Sequence, residues 1–255
     1  MKTVLITGST SGIGLGIATE FSKAGYNIAF NGLEQNGETI AHNIGETFNI
    51  KTKFYGADLR NPDQIQKMIS EAELDFGKID VLVNNAGIQF VSPIDEFPIE
   101  KWNSIIEVNL NSVFHASKAV WTGMKKRGFG RIINIASAHG LVASEYKAAY
   151  VAAKHGVVGL TKVLGLEGAN FGITANAICP GYVKTPLVEK QIAEQSKAHG
   201  ISEDEVVSKI MLTKHAIKDF VSVESLGKLA VFLASENANL ITGIALPVDG
   251  GWTSQ

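Results

Sequence analysis

A glycine turn sits between the first strand-like run and the first helical pattern: Thr7-Gly8-Ser9-Thr10-Ser11-Gly12-Ile13-Gly14. Glycines there let the backbone turn tightly and come close to a pyrophosphate. The helix that follows offers N–H groups and the positive end of its dipole. The spacing is Gly-x-x-x-Gly-x-Gly, and it lacks the Lys-Ser/Thr ending of a nucleotide-hydrolysing P-loop. A dinucleotide is therefore expected, and ATP or GTP is not.

The rest of the chain keeps the same rhythm. Val4–Thr7, Asn27–Asn31, Thr52–Tyr55, Val81–Asn84, Ile132–Ala136, Thr174–Ile178 and Ala245–Val248 read as strands. Between them, Ile13, Ile17, Phe21 and Ala24 recur at helical spacing, as do Ile65, Met68, Ile69 and Ala72. Gly25 is placed to end the first helix in a left-handed cap, and Ser222 to start the last one. Strands rich in Val and Ile with little alternation are buried on both faces, which means a parallel sheet covered by helices. The expected fold is α/β, a single Rossmann-type domain over residues 1–255 with a doubly wound parallel sheet of about seven strands. A closed eight-stranded barrel would show a similar alternation, but the nucleotide turn disfavours it. Residues 186–217 break the rhythm, being polar and helical with a capping box at Ser202–Glu205. They read as a lid over the strand ends, or as a plain surface helical hairpin.

Composition narrows the function classes. Lys+Arg 23 against Asp+Glu 25 leaves a net charge of −2, so no basic field exists for nucleic acid or an anionic membrane. The lone Cys179 excludes an intramolecular disulfide and fits a reducing, cytoplasmic setting. No apolar run approaches the roughly 18 residues that span a bilayer, and a strand beginning near Met1 leaves no room for a leader. No His/Asp/Glu cluster implies a metal.

Four further motifs follow in order: Asp58-Leu59, Asn84-Asn85-Ala86-Gly87, Tyr150-Val151-Ala152-Ala153-Lys154, and Pro180-Gly181 with Val183 and Thr185 beyond it. With the glycine turn, they make the chain resemble the short-chain dehydrogenase/reductase family over nearly its whole length. That resemblance implies cofactor contacts from Gly8, Thr10, Ser11, Gly12, Ile13, Gly14, Leu33, Asp58, Leu59, Asn85, Ala86, Gly87, Tyr150, Lys154, Pro180, Gly181, Val183 and Thr185. It also implies a homotetramer.

NAD is the expected cofactor. Family members that use NAD commonly carry an Asp at the end of the second strand, where it accepts from ribose hydroxyls. Gly32 stands there instead. Leu33 and Ser11 occupy positions that are often basic in NADP-using members, and Glu34 would repel a 2′-phosphate.

Tyr150 and Lys154 lie four residues apart, on one helical face. Alone, such a pair is usually an ordinary surface pair. Here Ser137 lies thirteen residues before Tyr150, Asn109 lies in the preceding long helix, and all four match the family's catalytic pattern. A free phenol has a pKa of about 10, too high for a base at neutral pH. Positive charge on Lys154 and on an oxidised nicotinamide would favour the phenolate. A shift of about three units corresponds to roughly 4 kcal/mol. The resemblance thus makes Tyr150 the acid–base, Ser137 the holder of the substrate oxygen, Lys154 a grip on the ribose, and Asn109 the holder of a water.

Gln89, His139, Lys147, Gln191 and Trp252 place a cation, an imidazole and two amides around the same point. That set suits a small hydroxy or keto carboxylate. It also resembles the family subgroup that oxidises (R)-3-hydroxybutyrate to acetoacetate with NAD. One departure is Tyr182, where the subgroup often has Trp. Two alternatives stay open: an NADPH-dependent 3-oxoacyl thioester reductase of the same family, and a non-catalytic dinucleotide sensor.

Overall fold

The computed structural model describes residues 1–185, 188, 189, 192, 193, 196, 197 and 200–254. Seven parallel strands form one sheet: β1 Thr3–Ile6, β2 Asn27–Asn31, β3 Thr52–Tyr55, β4 Val81–Asn84, β5 Gly130–Ile135, β6 Ile173–Pro180 and β7 Ala245–Val248. Their order across the sheet is β3-β2-β1-β4-β5-β6-β7. The sheet is open, with edges at β3 and β7, so the barrel is excluded.

Pleating sends alternate side chains to opposite faces, and both faces are apolar. Val4, Ile6, Ile28, Phe30, Val81, Val83, Ile133 and Ile135 meet Ile17, Ala18 and Phe21 of α1 (Gly12–Lys23) and Leu226, Ala230 and Leu233 of α7 (Val223–Ala234). Leu5, Ala29, Leu82 and Ile132 meet the other face. There they pack on Ile65, Met68 and Ile69 of α3 (Pro62–Phe76), on Val120 and Met124 of α5 (Ser112–Arg127), and on Leu164 of α6 (Ala148–Gly168). Helix α2 (Gly37–Phe48) completes the first layer through Ala41. Burial on both faces is what the unalternating Val/Ile strands required.

Local signals at the helix ends behave as their chemistry demands. Gly25 follows α1 with φ +78°, and the Ser222 hydroxyl accepts from Ser225 N at 3.1 Å to cap α7. The capping box at Ser202 and Glu205 forms, opening a short helical turn Glu203–Val206.

Two differences from the sequence reading matter for the site. Asn109 does not lie within one regular helix. Helix α4 (Ile99–Ile106) widens into a π-helical turn at Glu107–Asn111 before α5 resumes, and such turns recur where a helix must present a side chain at a functional site. The 186–217 segment, where described, is also less polar than its composition implies. Ile192, Val206, Met211 and Leu212 are buried together, with Tyr182, Val188, Ile201 and Phe220 packed against them.

Candidate active site

All strands are parallel, so every turn leaving a strand's C-terminal end opens on the same side of the sheet. Strand order reverses between β1 and β4, where a crevice is expected. A cavity of about 810 Å³ lies there.

One wall is the glycine turn. Gly8 and Gly12 have φ +59° and +52°, in the left-handed region. The Thr7 hydroxyl accepts from Asn85 N and Ala86 N at 2.9 and 3.1 Å. Asn85 returns its side-chain N–H bonds to the carbonyls of Thr7 and Gly8, both at 2.9 Å. The Asn-Asn-Ala-Gly motif is thereby stitched to the turn. Asn84 points away from the crevice, donating to Asn134 Oδ1 at 2.8 Å, and Asn134 donates to Thr161 Oγ1 of α6 at 2.8 Å. That buried chain ties β4 and β5 to α6.

The cavity's fit to a dinucleotide rests on α1. Ser11 at its N-cap makes no side-chain cap bond, and no acidic residue lies in its first turn. The first N–H groups of the helix therefore have no capping side chain, at the edge of a cavity that Ser11, Gly12, Ile13 and Gly14 line. Gly8, Leu33, Asp58, Leu59, Asn85, Ala86, Gly87 and Thr185 line the same cavity, as does Gln89. Thr10 is buried behind the turn. Pro180 ends β6, Gly181 packs on Asp249 and His215, and Val183 is buried and bridges to Val221, and none of these three lines the cavity. No motif in the sequence marks Arg60. Its guanidinium reaches the cavity and forks onto the Asp58 carboxylate, with Nε 3.0 Å from Oδ1 and Nη2 2.5 Å from Oδ2. This pair holds the Asp58 carboxyl below the usual carboxylate range.

Beside the cavity, α6 presents Tyr150 and Lys154 one turn apart. Lys154 is buried, its Nζ donating to Ile135 O at 2.7 Å and lying 5.6 Å from the Tyr150 ring centroid. Burial brings its pKa down to about 8, opposed by the nearby Cys179. Burial likewise pushes the Tyr150 phenol above its ordinary value, while the Ser137 hydroxyl beside it pulls the other way. Asn109 Oδ1 accepts from Ile88 N at 2.8 Å and its Nδ2 donates to Ile88 O at 2.9 Å. Its amide is thus committed to pinning the irregular segment after the Asn-Asn-Ala-Gly motif. A Cβ on Gly87 would lie 3.5 Å from Asn109 Oδ1 and 3.7 Å from Lys154 Nζ, ordinary contact distances that place the motif's last residue directly against both side chains.

His139 joins this group. Its backbone N–H donates to Ser137 Oγ at 3.1 Å, its Nδ1 is 3.5 Å from the same oxygen, and its Nε2 is 2.9 Å from Ser144 Oγ. Its ring meets Tyr150 and Trp252 edge-on, at 6.0 and 5.0 Å. Trp252 stacks on Tyr182 at 5.9 Å, and both lie against His215. Lys147 stands at the start of α6, and burial together with the charge of Lys214 lowers its pKa. Lys214 reaches over Trp252 at 5.7 Å. No local signal marked Lys214 or His215, because they meet this cluster only through the fold. Gln191 lies outside the described residues.

Burial, followed by the charges of Lys147, Lys214 and His155, holds His139 down to about 4, against an ordinary 6.5. Below pH 6.5 the unfolded chain therefore binds a proton that the folded one refuses. Folding stability should fall as pH drops from about 6.5 to about 4, by about 3 kcal/mol from this group. Urea unfolding of wild type and His139→Gln across that range should show the variant losing less. Parallel losses would mean His139 is not held neutral.

Residues 2–196 match the family described as short chain dehydrogenase. The chain belongs to that family. This dehydrogenase is 51% identical to the D-beta-hydroxybutyrate dehydrogenase of Rhizobium meliloti (strain 1021), over all of this chain and 99% of that protein. It is 49% identical to the enzyme of the same name from Cupriavidus necator, over all of this chain and 98% of that one. Among solved structures, it superposes on a single-residue variant of the actinorhodin polyketide ketoreductase with NADPH at a TM-score of 0.92 and 35% identity, covering 100% and 98% of the two chains. The fold and the oxidoreductase class of this short-chain dehydrogenase follow.

Proposed function

We propose that this dehydrogenase oxidises (R)-3-hydroxybutyrate to acetoacetate, reversibly, with NAD. The observation that carries the reading is His139 set against Ser137 and Tyr150, with Lys147 near enough for its charge to act on His139, beside an aromatic wall of Tyr182 and Trp252. Roughly half identity to two D-beta-hydroxybutyrate dehydrogenases supports it.

The α1 N-terminus, Asp58, Leu59, Asn85–Gly87 and Thr185 would hold NAD, which would supply the hydride acceptor. Tyr150 takes the substrate's hydroxyl proton as phenolate. Ser137 donates to the same oxygen and stabilises its developing charge. Lys154, anchored on Ile135 O, favours the phenolate by its charge and grips the ribose. Asn109 keeps Ile88 and the motif before it in place; its side-chain amide is occupied, so a water serving Lys154 would rest on the Asn109 backbone carbonyl. Lys147 receives the substrate carboxylate. That anion offsets the unfavourable pairing of Lys147 with Lys214, and neutral His139 holds Ser137 in place through its backbone N–H. Tyr182 and Trp252 close the pocket around the methyl end, and the 186–217 segment is proposed as the lid.

The test compares acid with ester. Losing one charged hydrogen bond costs about 1.5–3 kcal/mol. Lys147→Ala should therefore raise KM for 3-hydroxybutyrate roughly 10- to 100-fold and leave its methyl ester, already a poor substrate, almost unchanged. Equal losses on both would remove the carboxylate reading. A second reading, NADPH-dependent reduction of a 3-oxoacyl thioester, draws on the likeness to the ketoreductase. It requires the thioester to outperform the free acid in the same assay. Exposed Trp102 and Phe114 on α4 and α5, with Val163 and Leu166 on α6, support the homotetramer that the family resemblance implies. A cytoplasmic setting is proposed on the buried, unpaired Cys179. Among the described residues no helix is long and apolar enough to cross a membrane, and no group of His, Cys, Asp and Glu could hold a metal.

A further inference from the structure

Gly32 is the first residue after β2, where a family member that uses NAD would carry an acid, and the position is not empty of charge. The Glu34 side chain folds back across it. Its Oε2 accepts from the Thr10 hydroxyl at 2.5 Å and from Leu33 N at 3.0 Å. A Cβ built on Gly32 would collide with that same Oε2 and come within 2.7 Å of Thr10 Oγ1. The direction in which a side chain at position 32 would grow is therefore already filled by a carboxylate that arrives from two residues further on.

The surroundings are those of a nucleotide-binding edge. Gly32, Leu33 and Glu34 line the cavity together with Ser11 and Gly12 of the glycine turn. Thr10, which holds the carboxylate, belongs to that turn, so Glu34 is braced by the element that faces the pyrophosphate. Asn31 fixes the backbone on the other side. Its Nδ2 donates to Tyr55 O and Ala57 O at 3.0 and 3.1 Å, and its Oδ1 accepts from Gly8 N at 3.3 Å. The strand end, the glycine turn and the carboxylate are thus held in one register.

We infer that Glu34 is the residue that selects the cofactor's adenosine ribose, its carboxylate replacing the missing second-strand acid as acceptor for the 2′- and 3′-hydroxyls. Gly32 is required because any side chain there would displace it. The Thr10 and Leu33 donors use one carboxylate oxygen, which leaves the other to accept from a ribose hydroxyl. A 2′-phosphate would bring two negative charges against it. Arg60 does not answer that repulsion, since its guanidinium is already forked onto Asp58. The assignment deepens the NAD reading proposed above and rests on it.

The experiment measures binding without substrate: dissociation constants for NAD+ and NADP+ by calorimetry on wild type, Glu34→Gln, Glu34→Ala and the double variant Gly32→Asp/Glu34→Ala. Glu34 is exposed, so the single variants should melt as wild type does. Loss of a charged acceptor should weaken NAD+ binding about 10- to 100-fold in Glu34→Ala. NADP+ should bind as well or better, so the NAD+/NADP+ preference collapses. Glu34→Gln should fall between, keeping an acceptor but losing the charge. Gly32→Asp/Glu34→Ala should recover NAD+ affinity, because the new side chain grows into the space that Glu34 vacates. Unchanged constants in Glu34→Ala, with wild type still preferring NAD+, would overturn the role of Glu34 alone. Equal affinity of wild type for both cofactors would overturn the NAD reading itself.

Discussion

Tyr150→Phe should lower turnover at least about 100-fold, the usual worth of a positioned acid–base group, with the NAD dissociation constant nearly unchanged. The ring keeps its edge contact with His139 at 6.0 Å, and only the titrating oxygen goes. The pH profile makes the assignment more specific than a loss of rate would. Burial holds the Tyr150 phenol above its ordinary value in the protein alone, with Ser137 only partly compensating. The phenol is then largely protonated at neutral pH, and oxidation of the alcohol, which needs phenolate, should speed up as pH rises. Reduction of the ketone needs the protonated form and should slow over the same range. In Tyr150→Phe the residual oxidation rate should lose that dependence. A variant with near wild-type turnover, or with the wild-type pH slope intact, would place the base elsewhere. Lys154 does not titrate in the opposite sense to rescue it. Its own pKa is brought down to about 8 by burial, so at high pH it loses the charge that favours phenolate, and the oxidation profile should flatten above that point.

Gly14→Ala should be among the most damaging glycine-to-alanine changes at the described residues. A Cβ there would overlap the Gly8 carbonyl and come within 2.5 Å of Asn85 Nδ2. Neither neighbour can yield cheaply, because one is backbone and the other holds the carbonyls of Thr7 and Gly8. The turn must open, which costs about 1–3 kcal/mol in strain. It also gives up the two Asn85 bonds to the turn carbonyls. At roughly 1 kcal/mol each, the two lost bonds alone should lower NAD affinity about 30-fold. Gly12→Ala is the informative control. There the nearest atom is Thr185 Cγ2 at 3.7 Å, and only the left-handed backbone, φ +52°, resists the methyl. It should cost about 1–2 kcal/mol and change NAD binding less. Calorimetric titration and thermal melting of both variants check the contrast. Wild-type NAD affinity in Gly14→Ala would mean the turn does not shape the site.

Much of this architecture was written locally. The seven strands, the caps at Gly25 and Ser222, and the box at Ser202 and Glu205 depend on residues within a turn or two of one another. Backbone geometry and side-chain burial there follow from the neighbouring sequence. Tyr150 and Lys154 share a helical face for the same reason, and the glycine turn carries its own conformation.

What the fold alone decided are the encounters between distant segments. Lys214 and His215 meet Trp252 and Tyr182 because β6, β7 and the segment between them end at one edge of the sheet. Arg60 reaches the cavity by way of the turn after β3. The π-helical turn at Asn109 answers a need to bond Ile88, twenty-one residues away in sequence, which no helical periodicity encodes. The clearest case is Gly32. Read along the chain, it is an acid that is missing. In three dimensions, Thr10 of another loop draws the Glu34 carboxylate over it, because an exposed side chain takes its conformation from whichever donors the tertiary structure brings within reach.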